Sequence, residues 1–388
     1  MPGPTKSKSL SLMTTVTEAR TLFPAAERAA YFVTNGYGLL PTTAATAMQE
    51  ALNGLSARGY SAHHRLLQGV HDVRGRVARL LGATEDEIGF VRNTADGIGW
   101  AAESLPLRPG DEVIVFAGDY ATVAYPFMAL AEQGRGVKVR IVPTDAGRVT
   151  AEFVASVLRP QTKAVAMSWV RYDTGFRCDL SAIARIVADH GAYFVVDAVQ
   201  GVGALPIDVS AMRISVLAAG AHKWLCGLAG LGIVYVDRSI IGSLRPTRAG
   251  KEAIVDSDET RYPFALRRQA SRVEDGAINE LAICGLGHSL DVLLDVGAPA
   301  VAEQIFSVTE HLCALWLDHG GQVRSERTRD HWSGILLLEP PSGIDARELA
   351  SELVADRIIL GERDGALWVG AHFYTTIEDA ERLVSHLR

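Results

Sequence analysis

Cysteine is scarce in this 388-residue chain, with four residues, Cys178, Cys226, Cys284 and Cys313, none in a CxxC pair. That spacing suggests neither a zinc site nor a dithiol redox pair, and four cysteines are too few to frame a chain of this length with disulfides. A reducing, cytoplasmic setting is therefore the expectation. An excess of positive charge is also missing, since 38 Lys and Arg face 45 Asp and Glu, a formal net charge of −7. With no basic block to neutralise phosphates, a nucleic-acid partner is disfavoured. No apolar run reaches the roughly 18–20 residues of a membrane span, so no membrane partner is expected. The opening MPGPTKSKSLSLMTT is polar, lacks the apolar core of a secretory signal and reads as a flexible or crossing arm. Charged residues make up 21% of the chain and hydrophobic residues 48%, enough to bury a large core, which argues against disorder.

What is present alternates. Helical spacing marks residues 44–55 and 65–81, and a short strand is expected at 88–92. Asn93 and Thr94 then offer N-cap chemistry for a helix reaching 105. Strands follow at 112–116, 138–142, 164–168, 193–197, 216–219 and 232–236, with helices at 124–133, 150–158 and 180–190 between them. This alternation of short, mostly apolar strands with helices indicates a mostly parallel sheet covered on both faces. Functional residues then belong at the strand carboxyl ends. Residues 239–275 interrupt the rhythm with a polar, arginine-rich segment of the kind found at active sites and interfaces. Beyond it, helices at 279–296, 300–319, 346–354 and 377–387 and strands at 334–338 and 366–369 form a smaller α+β unit. The expected organisation is an arm at 1–27, a large domain at 28–278 and a small domain at 279–388.

Two residues carry the chemistry. Asp197 ends an apolar strand, and Lys223 follows another apolar strand in AGAHKWL. A buried acid is costly without a cationic partner, and so is a buried lysine without a compensating group. Taken singly, Asp197 could cap a turn and Lys223 could snorkel to solvent. Together they match pyridoxal phosphate, whose enzymes hold it through a lysine Schiff base and place an acid on the ring nitrogen.

Here the chain resembles the class V aminotransferase family of fold-type I enzymes, in its isopenicillin-N-epimerase-like and cysteine-desulfurase-like branch. The segments that carry the resemblance are YFVTNGYGLLP, FVRNTADGIG, GDEVIVFAGDY, AVAMSWVRYDTG, VVDAVQ, AHKWL, SRVEDGAIN and HFYTTIEDAERLVSHL. It implies a mostly parallel seven-stranded sheet sandwiched by helices, a smaller C-terminal α+β domain, pyridoxal 5′-phosphate as cofactor and a homodimer. Lys223 would be the Schiff-base lysine and proton shuttle, and Asp197 the partner of the pyridine nitrogen. Gln200 would donate to the phenolic oxygen, and Tyr120 would cover the ring as the third catalytic position. Thr94, the amides of Ala95 and Asp96, and His222 would hold the phosphate. Tyr172 stands where relatives often carry an Asn beside the phenolic oxygen.

The departures matter as much. Ala95, Gly220 and Ala277 lack hydroxyls found in some relatives, so the phosphate cup leans on amides, Thr94, His222 and an arginine of the 239–275 segment. Relatives often clamp the substrate carboxylate with an Arg at the position of Trp368. Without it, Arg248 or Arg272 would bind the carboxylate, or a bulky substrate would pack on Trp368 with Tyr37 and Tyr120. Residues 314–388 contain no cysteine, which speaks against desulfuration through an enzyme persulfide on the C-terminal loop. The function expected is cleavage of the C–S bond of a bulky cysteine S-conjugate by β-elimination, in natural-product or thiol metabolism. Epimerisation and transamination share the first carbanion and remain open. So does a scaffold with a degenerate site, which the missing hydroxyls would suit.

Overall fold

The computed structural model describes residues 15–387. Its central layer is a seven-stranded sheet among the described residues. We number strands along the chain: β1 Ala30–Tyr31, β2 Ile88–Val91, β3 Glu112–Phe116, β4 Lys138–Val142, β5 Thr162–Ser168, β6 Tyr193–Asp197, β7 Val216–Gly220 and β8 Gly232–Val236. The order across this sheet is β2-β8-β7-β6-β5-β3-β4. The pairings from β7 through to β4 are parallel, and only β8 runs against its two neighbours. Successive side chains on a strand point to opposite faces, and here both faces are dry. Ile114, Phe116, Val165, Met167, Phe194 and Val196 join one core cluster. Val113, Val115, Ala164, Ala166 and Val195 join the other. Apolar residues on both faces of the central strands are thus what a parallel sheet inside three layers requires.

Helices cover the two faces. Tyr60–Leu81, Leu180–Asp189 and Glu280–Val296 contribute to the first cluster. Thr94–Ser104 and Ala121–Leu130 lie on the second. Helix Thr94–Ser104 approaches the sheet closely because Gly97 faces β7. A Cβ at that position would lie 2.8 Å from the Ala218 Cβ, so only glycine permits the distance. Asn93 caps this helix by accepting the Asp96 amide proton at 2.9 Å, as its sequence suggested.

The C-terminal unit holds strands β9 Gln322–Val323, β10 Ile335–Glu339, β11 Ile358–Ile359, β12 Gly361–Arg363 and β13 Ala366–Gly370. Four of them form an antiparallel sheet in the order β12-β13-β10-β9, backed by a third core cluster that includes Leu312, Trp316, Leu336, Leu338 and Leu353.

The domain boundaries depart from the expected ones. Helix Glu280–Val296 packs against helices Thr42–Arg58 and Tyr60–Leu81, so it belongs with the large unit rather than the small one. The small unit instead recruits chain from far upstream. β1 pairs in parallel with β11, and Val33 bridges to Gly370. Of the arm expected at 1–27, residues 1–14 lie outside the described residues. Residues 15–27 are not a free arm but two short docked helices, with Ala19, Phe23 and Ala26 buried and the Arg20 guanidinium donating to the carbonyls of Tyr374 and Ala26. No single described helix is long and apolar enough to cross a membrane.

Candidate active site

Four chain segments converge at the carboxyl ends of β3, β5, β6 and β7, where an open α/β sheet presents its binding crevice. Asp197 is the last residue of β6 and is buried, in register with Ser168 at the end of β5. Asp197 Oδ1 accepts the Val199 amide proton at 3.0 Å. Its other carboxyl oxygen takes no hydrogen bond from any described residue. Burial pushes this carboxyl up from its ordinary value, and the nearby charge of Asp119 adds to the rise, against the pull of the Val199 amide and Lys223.

Lys223 sits in the turn after β7. Its ammonium makes no hydrogen bond or ion pair with any described residue, and burial lowers its pKa against the opposing pull of Asp197. The turn is held firmly around it. His222 O accepts from the Gly38 amide at 2.8 Å, and Lys223 O accepts from Cys226 N–H at 3.0 Å. A Cβ on Gly38 would overlap the Lys223 carbonyl, so this glycine is what lets the 35–39 loop lie on the lysine turn. The buried Trp224 indole donates to Gln200 Oε1 at 2.8 Å, and Gln200 Nε2 donates to Asn35 O at 3.0 Å. Gln200 therefore ties three segments together and has one amide proton left for a ligand. His372 is buried against the same turn, its Nε2 3.0 Å from Trp224 O, and burial lowers its pKa to about 4.

The phosphate side is also assembled. Thr94 Oγ1 accepts from the Gly220 amide at 2.9 Å, which leaves its own proton free to donate. The ideal Cβ position on Gly220 lies 3.1 Å from the His222 ring and 3.3 Å from Thr94 Oγ1, so a hydroxyl-bearing residue would be cramped there. Ala95, the second residue of the helix, has an amide with no acceptor among the described residues. Asp96 departs from expectation, because its amide proton is already taken by the Asn93 cap. Its carboxylate accepts from Arg92 at 2.6 Å and from Arg248 at 3.3 Å. Burial would raise this carboxyl, yet the hydrogen bonds and charge of Arg92, helped by Arg248, pull it below its ordinary value.

Aromatic side chains form one wall. Tyr37 is 45% exposed and its ring centroid is 5.8 Å from that of His222. Tyr120, 48% exposed, meets Tyr172 edge-on at 5.1 Å. The Trp368 indole donates to Tyr172 O at 2.9 Å and packs partly into the main core.

The two arginines expected at the substrate are placed elsewhere. Arg272 is buried and donates to the carbonyls of Ile241, Leu244 and Arg267, which closes a loop rather than facing the lysine. Arg248 is shared among Asp96, Glu103 and Asp275. Neither has a hydrogen bond or ion pair with the residues around Lys223.

Sequence reasoning missed Asp119. It accepts from Ser168 N and Ser168 Oγ at 2.8 and 2.6 Å and from Tyr120 N at 2.7 Å. It thereby fixes Tyr120 and adds negative charge beside Asp197. Its signal was its place just past a strand end, one residue before Tyr120. Arg171 was also missed. Its buried guanidinium pairs with Asp173 and donates to the Ala117 and Gly118 carbonyls, bracing the Asp119 loop.

The family model for Aminotransferase class-V matches residues 30–383. The chain belongs to that family. A probable cysteine desulfurase of Methanothermobacter thermautotrophicus is 31% identical over 85% of this chain and 86% of its own. The uncharacterized aminotransferase YcbU of Bacillus subtilis is 23% identical over 95% and 96%. Among solved structures, the cystine C–S lyase C-DES, in complex with its product cysteine persulfide, superposes with a TM-score of 0.87. It is 23% identical and covers 94% of this chain and 98% of its own. The apo cysteine desulfurase of Thermococcus onnurineus superposes with a TM-score of 0.85 at 22% identity, covering 95% and 96%. These likenesses carry the fold, a mostly parallel sheet flanked by helices.

As a class-V enzyme the protein uses pyridoxal 5′-phosphate, and its residues fit that group. Asp197 is a buried acid and Lys223 a half-buried amine, and neither has an oppositely charged group in hydrogen-bond contact among the described residues. A pyridine nitrogen partners the first and an aldehyde the second. Thr94, the Ala95 amide, the Gly220 strand end and His222 stand together where a phosphate needs donors at a helix start.

Proposed function

We propose that this class-V enzyme cleaves the C–S bond of a cysteine S-conjugate by β-elimination, releasing a thiol, pyruvate and ammonia. The observation that carries the reading is the set of aromatic side chains around the Lys223 turn, Tyr37 against His222 and Tyr120 with Tyr172 and Trp368, which offers apolar surface to a bulky sulfur substituent. The names of relatives, cysteine desulfurases and a cystine C–S lyase, support sulfur chemistry. The cysteines here do not support capture of the sulfur by the enzyme. Cys178, Cys226 and Cys313 are buried, and Cys284 lies on a helix of the large unit. Burial pushes the Cys226 thiol upward, which keeps it from acting as a thiolate.

Bound pyridoxal phosphate acts as the electron sink that makes the substrate Cα proton acidic. Lys223 is placed to take that proton, and burial lowers its pKa from the ordinary lysine value, which makes the amine a readier base. Asp197 holds a proton or pairs with a cation at the far end of the crevice, and Asp119 reinforces it. Tyr120, anchored by Asp119 through its amide, covers one side. Loss of the Cα proton and of the thiolate from Cβ leaves an unsaturated amine, which water hydrolyses to pyruvate and ammonia.

The test compares S-benzyl-L-cysteine with L-cysteine. We expect pyruvate and thiol from the S-benzyl compound with a kcat/KM at least about tenfold higher, in line with 1–3 kcal/mol of added apolar contact. Trp368→Ala should raise its KM. Equal turnover of the two amino acids, with Trp368→Ala changing only thermal stability, would overturn the reading. Racemised substrate without pyruvate would favour epimerisation.

We further propose a homodimer. Supporting it are Tyr262 and Phe264, 78% and 75% exposed on the arginine-rich segment, where large apolar side chains invite a partner surface. Light scattering at micromolar concentration should give twice the mass of the chain. A monomer that retains full cofactor and activity would refute this.

A further inference from the structure

We propose that Arg363 binds the α-carboxylate of the substrate and sets the requirement for a carboxylate at this site. The inference rests on the reading that the substrate is an amino acid. Such a substrate brings a carboxylate into a crevice already holding Asp119 and Asp197, so it needs a cation close to the aromatic wall.

Candidate cations fall away one by one. Arg171 is filled by Asp173 and two backbone carbonyls. Arg272 is filled by three carbonyls. Arg248 is shared by three carboxylates. Arg363 is different. It ends β12, opposite Ala366 on the strand that carries Trp368. Its guanidinium carbon lies 4.5 Å from the Tyr172 ring centroid, and Nη2 donates to the Tyr172 hydroxyl at 3.0 Å. Trp368 holds the backbone oxygen of the same Tyr172, whose ring meets Tyr120. On its other side Trp368 comes within 3.9 Å of the Cβ position of Gly36, in the loop that lies on the Lys223 turn. Arg363 is thus linked through Tyr172 and Trp368 to the loop that lies on the Lys223 turn.

Its donors are also available. Nε is buried with no hydrogen-bond partner, and Nη1 makes no hydrogen bond with any described residue. Among the described residues it pairs with one carboxylate, Asp364, 3.4 Å from Nε without hydrogen-bond alignment and 78% exposed, a pair that solvent weakens. Tyr172 holds the planar guanidinium by its face and one corner, leaving an edge for a carboxylate. That edge suits the fork geometry of arginine, which lysine cannot reproduce.

Three probes test this on the holoenzyme: S-benzyl-L-cysteine, 2-(benzylthio)ethylamine, which lacks the carboxylate, and 3-(benzylthio)propionate, which lacks the amine. Wild type should prefer the amino acid over the amine by about 100-fold or more in kcat/KM. Arg363→Met should collapse that ratio to within about tenfold, with Arg363→Lys between. Calorimetry should show the propionate binding about 10–100-fold more weakly to Arg363→Met. Cofactor absorbance and melting temperature report whether the variant is intact; if Arg363→Met is not, Arg363→Gln is read in the same way. An unchanged ratio and unchanged propionate affinity in an intact variant would overturn the proposal. If wild type turns over neither amine, the elimination reading fails, and the propionate measurement alone still decides for or against Arg363.

Discussion

Lys223→Ala is expected to abolish cofactor attachment and to lower turnover by at least about a thousandfold, as loss of a covalent catalytic group does. Borohydride reduction of the wild-type holoenzyme, followed by peptide mapping, should place a phosphopyridoxyl group on the peptide containing Lys223. The variant should give no such peptide. Two features of the structure make the expectation specific. The ammonium has no partner among the described residues, and burial drives it toward the neutral amine that an imine requires. Removing it should therefore not unfold the protein, because a half-buried amine without a hydrogen-bond partner contributes desolvation cost rather than stability. The melting temperature of the cofactor-free variant should equal or exceed that of the cofactor-free wild type. Lys223→Arg should be as inactive as the alanine variant, since a guanidinium stays protonated. A label on another lysine, or alanine and arginine variants with substantial activity, would refute the assignment.

Asp197→Asn should cost about 10²–10³-fold in kcat, the range for losing one preorganised electrostatic partner. Asparagine keeps an oxygen for the Val199 amide, now 3.0 Å from Asp197 Oδ1, so the turn after β6 stays in place while the charge is lost. Asp197→Ala should lose that hydrogen bond too and lower the melting temperature further. The cofactor-free proteins provide a separate check. Burial raises the Asp197 carboxyl above its ordinary value. Between the ordinary carboxylate range and neutrality the folded chain then holds a proton that the unfolded chain has released, so wild-type stability falls as pH rises through that window. Asp197→Asn should therefore gain melting temperature relative to wild type over the same rise. If it keeps more than a tenth of wild-type kcat, the assigned role of Asp197 is wrong.

The sequence by itself determined the layered fold and singled out two residues of the candidate site. Short strands such as 113–116, 194–196 and 232–236 carry no charged residue, and that pattern suits a mostly parallel sheet covered on both faces. Asp197 and Lys223 were legible because a charged residue at the end of such a run is too costly to be incidental. Thr94 and His222 were named for the phosphate through the family resemblance, with Thr94 at a helix start where anions are favoured.

Tertiary structure decided what sequence distance hides. The pairing of β1 with β11 joins residues more than 300 positions apart, and no local pattern announces it. Helix Glu280–Val296 reads the same in either unit; its packing on Thr42–Arg58 and Tyr60–Leu81 is what assigns it to the large one. The fate of each arginine depends on its surroundings. Arg248 and Arg272 carry the same guanidinium as Arg363, yet neighbouring carboxylates and carbonyls occupy the first two. Arg363 lies in an unremarkable hairpin turn, and only the folding of β12 and β13 over Tyr172 brings its free edge to the aromatic wall. Periodicity and charge burden are properties of a local stretch of chain, while the satisfaction of a hydrogen-bonding group is a property of everything packed around it.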